Sequence, residues 1–266
     1  MSRITVTTLR KMKQAGEKIA CLTVYDASFS QILEEAGVEI LLVGDSLGMV
    51  IQGQDSTLPV TLGDMIYHTR IVSGKSEKAL IIADMPFMSY ATPQQALFSA
   101  GRLLKEGGAH MVKLEGGAAM VKTVRELTSH GIPVCAHLGL LPQSVNKLGG
   151  YKVQGRDEES AQNMIVDARA MEDAGADVLV LECVPSTLAA EISSALEIPV
   201  IGIGAGHQCD AQVLVLYDML GITSGKRPKF TKDFLQEEKN IRGAVSAYVQ
   251  AVKNGDFPSS EQSFND

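Results

Sequence analysis

The sequence predicts an α/β architecture, a single (β/α)8 TIM barrel with a C-terminal helical extension, on three observations. Eight short apolar runs rich in β-branched residues recur through 266 residues, amphipathic stretches stand between them, and glycine recurs where a helical stretch gives way to the next run. Runs that are apolar at successive positions suit strands buried on both faces of a parallel sheet. Strand alternating with helix makes βαβ units, and eight of them fit a barrel of about 250 residues.

In chain order the runs are Ala20–Val24, Ile40–Val43, Ala79–Ala83, His110–Leu114, Ile132–Ala136, Asp177–Leu181, Pro199–Ile203 and Gln212–Leu216. The helical stretches are Ser28–Ala36, Gln94–Glu106, Ala118–Ser129, Ser160–Ala174 and Thr187–Leu196. Glu35–Val38, Glu106–Ala109 and Asp173–Ala176 each place a glycine at the junction, the usual left-handed helix stop. Two connections, 46–78 and 137–159, are long and rich in Gly, Pro, Ser, Asn and Gln. Connections beyond about 12–15 residues usually carry function. Nothing resembles an interdomain linker, so 1–266 reads as one domain, with a barrel core over about 20–225 and a helix and tail over 231–266. Within that extension Phe234–Lys253 has helical spacing and Asp256–Asp266 is polar.

The balance of 45% hydrophobic and 21% charged residues is that of an ordinary globular chain and excludes a disordered one. Lys and Arg number 24 against 31 Asp and Glu, a formal charge of −7. An acidic surface repels phosphate backbones, so no nucleic-acid partner is expected. No window reaches the ~18 apolar residues of a membrane span, and Met1–Lys18 lacks the apolar core of a signal peptide. Cys21, Cys135, Cys183 and Cys209 form no CxxC pair and read as buried thiols of a reducing compartment. A cytoplasmic protein with small-molecule ligands is expected.

A barrel of this kind carries its active site at the carboxyl ends of its strands. The runs end in polar residues: Tyr25 and Asp26, Asp45 and Ser46, Asp84, Lys113 and Glu115, His137, Glu182 and Asp218. Clustered anions are costly unless a cation neutralises them or some are protonated. Oxygen ligands with few histidines and no paired cysteines suit a hard ion such as Mg²⁺. Asp45, Asp84 and Glu115 come from three consecutive runs and could surround one ion; each alone could instead be a helix cap or ion-pair partner. Asp26 and Asp218 read as structural. Lys113 and Glu115 share a strand face, so Lys113 either binds a substrate carboxylate or carbonyl oxygen or pairs internally with Glu115. Glu182 ends an apolar run and is the candidate general base, a satisfied buried carboxylate being the alternative. His137 is a possible auxiliary residue whose role stays open. Ile201–Gly206 (IGIGAG) is not the GxGxxG fingerprint, and either phosphate binding or close backbone packing accounts for it.

Eight blocks then stand in one order: Leu42–Met49 (LVGDSLGM), Gly53–Val60 (GQDSTLPV), Ala83–Met88 (ADMPFM), Val112–Gly117 (VKLEGG), His137–Ser144 (HLGLLPQS), Gly149–Gly155 (GGYKVQG), Leu181–Pro185 (LECVP) and Ile201–Gly206. Together, from about residue 20 to about residue 230, they resemble the ketopantoate hydroxymethyltransferases. The resemblance implies a barrel of the phosphoenolpyruvate/pyruvate superfamily working in pantothenate synthesis. It implies Mg²⁺ held by Asp45, Asp84 and Glu115, a 2-oxo acid substrate (3-methyl-2-oxobutanoate) contacted by Asp45, Ser46, Asp84 and Lys113, and Glu182 as proton acceptor. It further implies 5,10-methylenetetrahydrofolate as co-substrate and a homo-oligomer, commonly a decamer. One departure is Asp210-Ala211-Gln212, where the family pattern has Asp-Gly-Gln. The rival readings are a lyase or mutase of the same superfamily and a catalytically silent metabolite-binding barrel.

Overall fold

The computed structural model describes residues 3–223 and 227–265. Among these residues eight strands close into one barrel in chain order, every neighbouring pair parallel. They are β1 Ile19–Thr23, β2 Ile40–Val43, β3 Leu80–Asp84, β4 Met111–Glu115, β5 Val134–Gly139, β6 Val178–Glu182, β7 Val200–Ile203 and β8 Ala211–Leu214. The barrel closes through the register Ile19↔Ala211 to Leu22↔Leu214. Residues 224 and 225, at the end of the expected core, and Asp266, at the end of the expected tail, lie outside the described residues.

The helices in chain order are α1 Val6–Gln14, α2 Ala27–Glu35, α3 Leu47–Val50, α4 Leu62–Ser73, α5 Pro93–Lys105, α6 Val121–Ser129, α7 Val145–Leu148, α8 Glu158–Asp173, α9 Ser186–Ala195, α10 Leu216–Met219 and α11 Ile241–Asn254. The three junction glycines stop their helices as expected, with φ of +93° at Gly37, +78° at Gly108 and +100° at Gly175. Element ends shift by one to three residues from the sequence reading at many places, and four larger or more telling differences have a physical cause or place. Residues 46–78 contain a full barrel helix, α4, started by a reciprocal cap between Thr61 and Asp64. α1 precedes the first strand, where the sequence reading had only a polar segment. The eighth strand ends at Leu214 rather than Leu216, because α10 begins there and puts Asp218 on a helix. The C-terminal helix begins at Ile241 rather than Phe234, because the Asn240 side chain accepts from Gly243 N and caps it there.

Between β7 and β8 the described chain makes no helix. Parallel strands usually need about a dozen residues to cross over. Here Gly204–Asp210 suffice, and the glycines explain how: any side chain on Gly204 would meet Phe230 and Phe264, and any on Gly206 would meet Ser186.

Two buried clusters follow from the strand period of two. Ile19, Cys21, Ile40, Leu42, Leu80, Ile82, Met111, Cys135, Val178, Val180, Ile201, Ile203, Ala211 and Val213 pack together with Leu9 and Met12 of α1. They fill the barrel interior, and α1 closes its amino-terminal end. The alternate residues, such as Leu22, Leu41, Ile81, Val112, Ala136 and Leu179, pack outward under the helices. Continuing the interior columns by two residues at a time leads to Asp84 on β3, Lys113 and Glu115 on β4, His137 on β5 and Glu182 on β6. The alternation that fills the core therefore also aims these polar side chains into the carboxyl-end mouth.

Candidate active site

Register brings the polar side chains side by side: Asp84 pairs with Lys113, Glu115 with His137, and Gly139 with Glu182. Asp45 and Ser46 stand in the turn between β2 and α3. Asp45 is 4% exposed, Asp84 3%, Lys113 5%, Glu115 6% and His137 2%, so the cluster is withdrawn from bulk water. Ser46 is hydrogen-bonded to the Tyr25 hydroxyl at 2.8 Å. Asp26 caps α2, its carboxylate accepting from Ser28 and Phe29 N, as a structural acid would.

Lys113 Nζ lies 3.2 Å from Asp84 Oδ1 and 3.3 Å from His137 Nδ1. The imidazole bridges two acids, with Nδ1 3.6 Å from Glu115 Oε1 and Nε2 3.3 Å from Glu182 Oε2. Burial, then the Asp84 carboxylate, push the Asp45 carboxyl well above its ordinary range. Burial also raises Asp84, against the pull of the Lys113 ammonium. Burial opposes ionisation of Glu115 too, but His137 and Lys113 outweigh it and the carboxyl is lowered. Burial works against the Lys113 charge, yet Asp84, Glu115 and Asp45 together raise its pKa and keep it cationic. Burial and Lys113 likewise oppose an imidazolium at His137, and the neighbouring Glu115 and Glu182 carboxylates raise it on balance.

Two backbone features aim Glu182. Gly139 has φ +92°, and a Cβ there would lie 2.2 Å from the Glu182 carbonyl oxygen, so only glycine lets β5 approach β6 this closely. Leu140 N donates to that same oxygen at 2.8 Å. Cys183, next in sequence, holds a left-handed φ of +49°, an uncommon conformation for a side-chain-bearing residue and one that recurs at functional sites. Its carbonyl accepts from Gln154 N, tying the loop after β5 to the Glu182 turn.

The donor set for a cation is all oxygen. Asp84 Oδ2 is anchored by Asp45 N, and Glu115 Oε2 by Gln143 N. Asp84 Oδ1 and Glu115 Oε1 are buried and make no hydrogen bond. Their contacts are the ion pairs with Lys113 and His137, and desolvated carboxylate oxygens in a cluster of three acids that share a single ammonium have the donor chemistry of a hard divalent ion. Among the described residues no group of three or more Asp, Glu, His or Cys side chains, as they stand, could hold a metal ion. Cavities of about 210 Å³ (lined by Arg10, Glu172 and Glu197, among others) and about 270 Å³ (lined by Ser186, His207 and Ser260, among others) take no residue from the cluster.

Two polar residues of the mouth had no role in the sequence reading, Tyr90 and Gln143. Gln143 stands within the block His137–Ser144, but only the tertiary structure shows that its amide reaches Asp45, from a position 98 residues along the chain. The Gly202–Gly206 glycines serve close packing against Cys209, Phe230, Phe264 and Ser186.

The ketopantoate hydroxymethyltransferase family matches residues 3–260. A 3-methyl-2-oxobutanoate hydroxymethyltransferase of Nitrosococcus oceani is 61% identical over 264 residues, 99% of this chain and 100% of that one. Its counterpart in Shewanella oneidensis is 58% identical over 265 residues, covering 100% of both chains. Among solved structures, a 2,3-dimethylmalate lyase of the PEP mutase/isocitrate lyase superfamily shares the fold with a TM-score of 0.59 and 23% identity, over 81% of this chain and 82% of that one. A phosphonopyruvate hydrolase in complex with oxalate and Mg²⁺ shares it with a TM-score of 0.61 and 12% identity, over 98% and 93%. On the family match across almost its whole length and the identity to those two transferases, the chain is an enzyme of the ketopantoate hydroxymethyltransferase family.

Proposed function

We propose that the enzyme transfers a hydroxymethyl group from 5,10-methylenetetrahydrofolate to 3-methyl-2-oxobutanoate, giving 2-dehydropantoate, with Mg²⁺ as cofactor. The observation that carries the reading is the convergence of Asp45, Asp84, Glu115, Lys113 and Glu182 on one desolvated mouth, in a chain of this family. Asp45, Asp84 and Glu115 would hold the metal. When bound, Mg²⁺ supplies a Lewis acid for the keto and carboxylate oxygens of a 2-oxo acid.

The remaining steps belong to the chain's own side chains. Ser46 donates to the substrate carboxylate and fixes its orientation, with Asp45, Asp84 and Lys113 lining the same site. Glu182 takes the proton from C3, and the charge that develops on the keto oxygen faces the Lys113 ammonium. C3 then forms its bond to the folate-borne carbon, and water completes release of 2-dehydropantoate and tetrahydrofolate. His137, between Glu182 and Glu115, is placed to steady both carboxylates while the proton moves. Family resemblance carries pantothenate biosynthesis and a homo-oligomer, read as a decamer; the cytoplasm rests on the sequence reading of the cysteines and apolar runs. No helix among the described residues is long and apolar enough to cross a membrane.

The test is turnover. With Mg²⁺, 3-methyl-2-oxobutanoate and 5,10-methylenetetrahydrofolate, mass spectrometry is expected to find 2-dehydropantoate formed in step with tetrahydrofolate. Folate-independent cleavage of a larger 2-oxo acid, with no such product, would instead make the enzyme a lyase.

A further inference from the structure

The side chain of Gln143, only 6% exposed, commits each of its polar atoms. The Tyr90 hydroxyl donates to its Oε1 at 2.5 Å, and its Nε2 donates to Asp45 Oδ2 at 2.8 Å and to the Met85 carbonyl at 3.0 Å. The backbone N of Gln143 donates to Glu115 Oε2 at 3.0 Å, and Glu115 N donates back to the Tyr90 hydroxyl at 3.4 Å. Two connections, one after β3 and one after β5, are thereby stitched to two of the three acids.

The orientation of the amide follows from this inventory. The Tyr90 oxygen accepts from Glu115, so its one proton is free for Oε1, and the NH2 group is left for Asp45 and Met85. A flipped amide would set its oxygen against a carboxylate and a carbonyl. The outcome is a division of labour among the acids. One oxygen each of Asp45, Asp84 and Glu115 is held by a hydrogen-bond donor of the chain, and Asp84 Oδ1 and Glu115 Oε1 are left buried with only their ion-pair contacts to Lys113 and His137.

We propose that Gln143, oriented by Tyr90, is a positioning residue of the cation site: seating the loop after β5 turns Asp45 and Glu115 into the arrangement that binds the metal. This rests on the Mg²⁺ reading of the acid cluster. Groups that orient metal ligands typically cost about 10–100-fold in metal affinity when removed.

The test titrates Mg²⁺ alone, without substrate, into the full-length protein by calorimetry. Gln143→Met keeps the length of the side chain and deletes its amide; Tyr90→Phe deletes only the hydroxyl that orients it; Asp84→Asn is the reference for a lost ligand. Gln143→Met is expected to weaken Mg²⁺ binding about 10–100-fold and Tyr90→Phe by less, each variant staying folded without metal at a urea midpoint lowered by its lost buried hydrogen bonds. In turnover, the Mg²⁺ concentration for half-maximal rate is expected to rise while kcat at saturating Mg²⁺ is largely kept. Mg²⁺ affinity within about twofold of the parent in both variants, alongside loss of binding in Asp84→Asn, would overturn the positioning role alone. Absence of Mg²⁺ binding by the unaltered protein would overturn the cation reading and this inference with it. If Gln143→Met does not fold, Tyr90→Phe decides the matter.

Discussion

Single residues carry the site because each lies at a position the strand period selects. Lys113 and Glu115 were legible before the fold was known, since residues two apart on one strand share a face. Asp84, His137 and Glu182 were legible as polar ends of apolar runs. Tyr90 and Gln143 were not: an uncharged amide and a phenol carry no pattern in one dimension, and their value arises only when two loops meet over Asp45. Gly139 belongs with them. Its φ of +92° and the 2.2 Å that would separate a Cβ from the Glu182 carbonyl predict a sharp cost for Gly139→Ala. Strain of this type runs to about 1–3 kcal/mol, and the displaced β6 end would carry Glu182 out of line. A lowered urea midpoint together with reduced turnover is expected; an unchanged midpoint would contradict the close approach.

At the scale of elements, helices and strands were read well where periodicity spoke alone and poorly where a cap decided. α4 was hidden inside a polar stretch, although Thr61 and Asp64 already spelled a capping box. The start of α11 was misread because Asn240, not the apolar spacing, sets it. One junction makes a pH-dependent prediction. Glu34, at the end of α2, accepts from Ser76 Oγ and from the backbone N of Glu77, Lys78 and Ala79, tying α2 to the entry of β3. Burial opposes its ionisation, but the four donors outweigh it and hold its pKa below the usual carboxylate range. A carboxyl lowered by folding stabilises the protein above its unfolded pKa of about 4.3, and that contribution is lost as pH falls through the folded value. Glu34→Gln is expected to cost about 1 kcal/mol near neutrality, its partial exposure limiting the effect, and the gap to the parent should narrow on acidification. Thermal midpoints across pH check the sign; a gap that widens in acid would contradict it.

Over the whole molecule, the barrel was legible because parallel strands covered on both sides need unbroken apolar runs. The β7–β8 crossover without a helix was not, because its glycines carry the same letters whether they bind a ligand or only allow close packing. Closure depends on the C-terminal helix: the Tyr248 hydroxyl reaches the Cys21 carbonyl at 2.8 Å and the Gln212 carbonyl at 2.9 Å, across the seam of β1 and β8. Phe234 and Phe257 pack edge-on against its ring. Tyr248→Phe is expected to cost about 1–1.5 kcal/mol in urea unfolding with turnover retained, since its hydroxyl bonds backbone carbonyls of β1 and β8 and no side chain of the acid cluster. A loss of turnover without loss of stability would contradict that separation. The measurement that bears most directly on the central claim follows the C3 hydrogen of 3-methyl-2-oxobutanoate in D2O with enzyme and Mg²⁺ but no folate. Exchange is expected in the parent and is expected to fall by about 10²–10⁴-fold in Glu182→Gln. Exchange undiminished in that variant, or absent from the parent, would contradict a base at Glu182 acting beside Lys113 and the three acids.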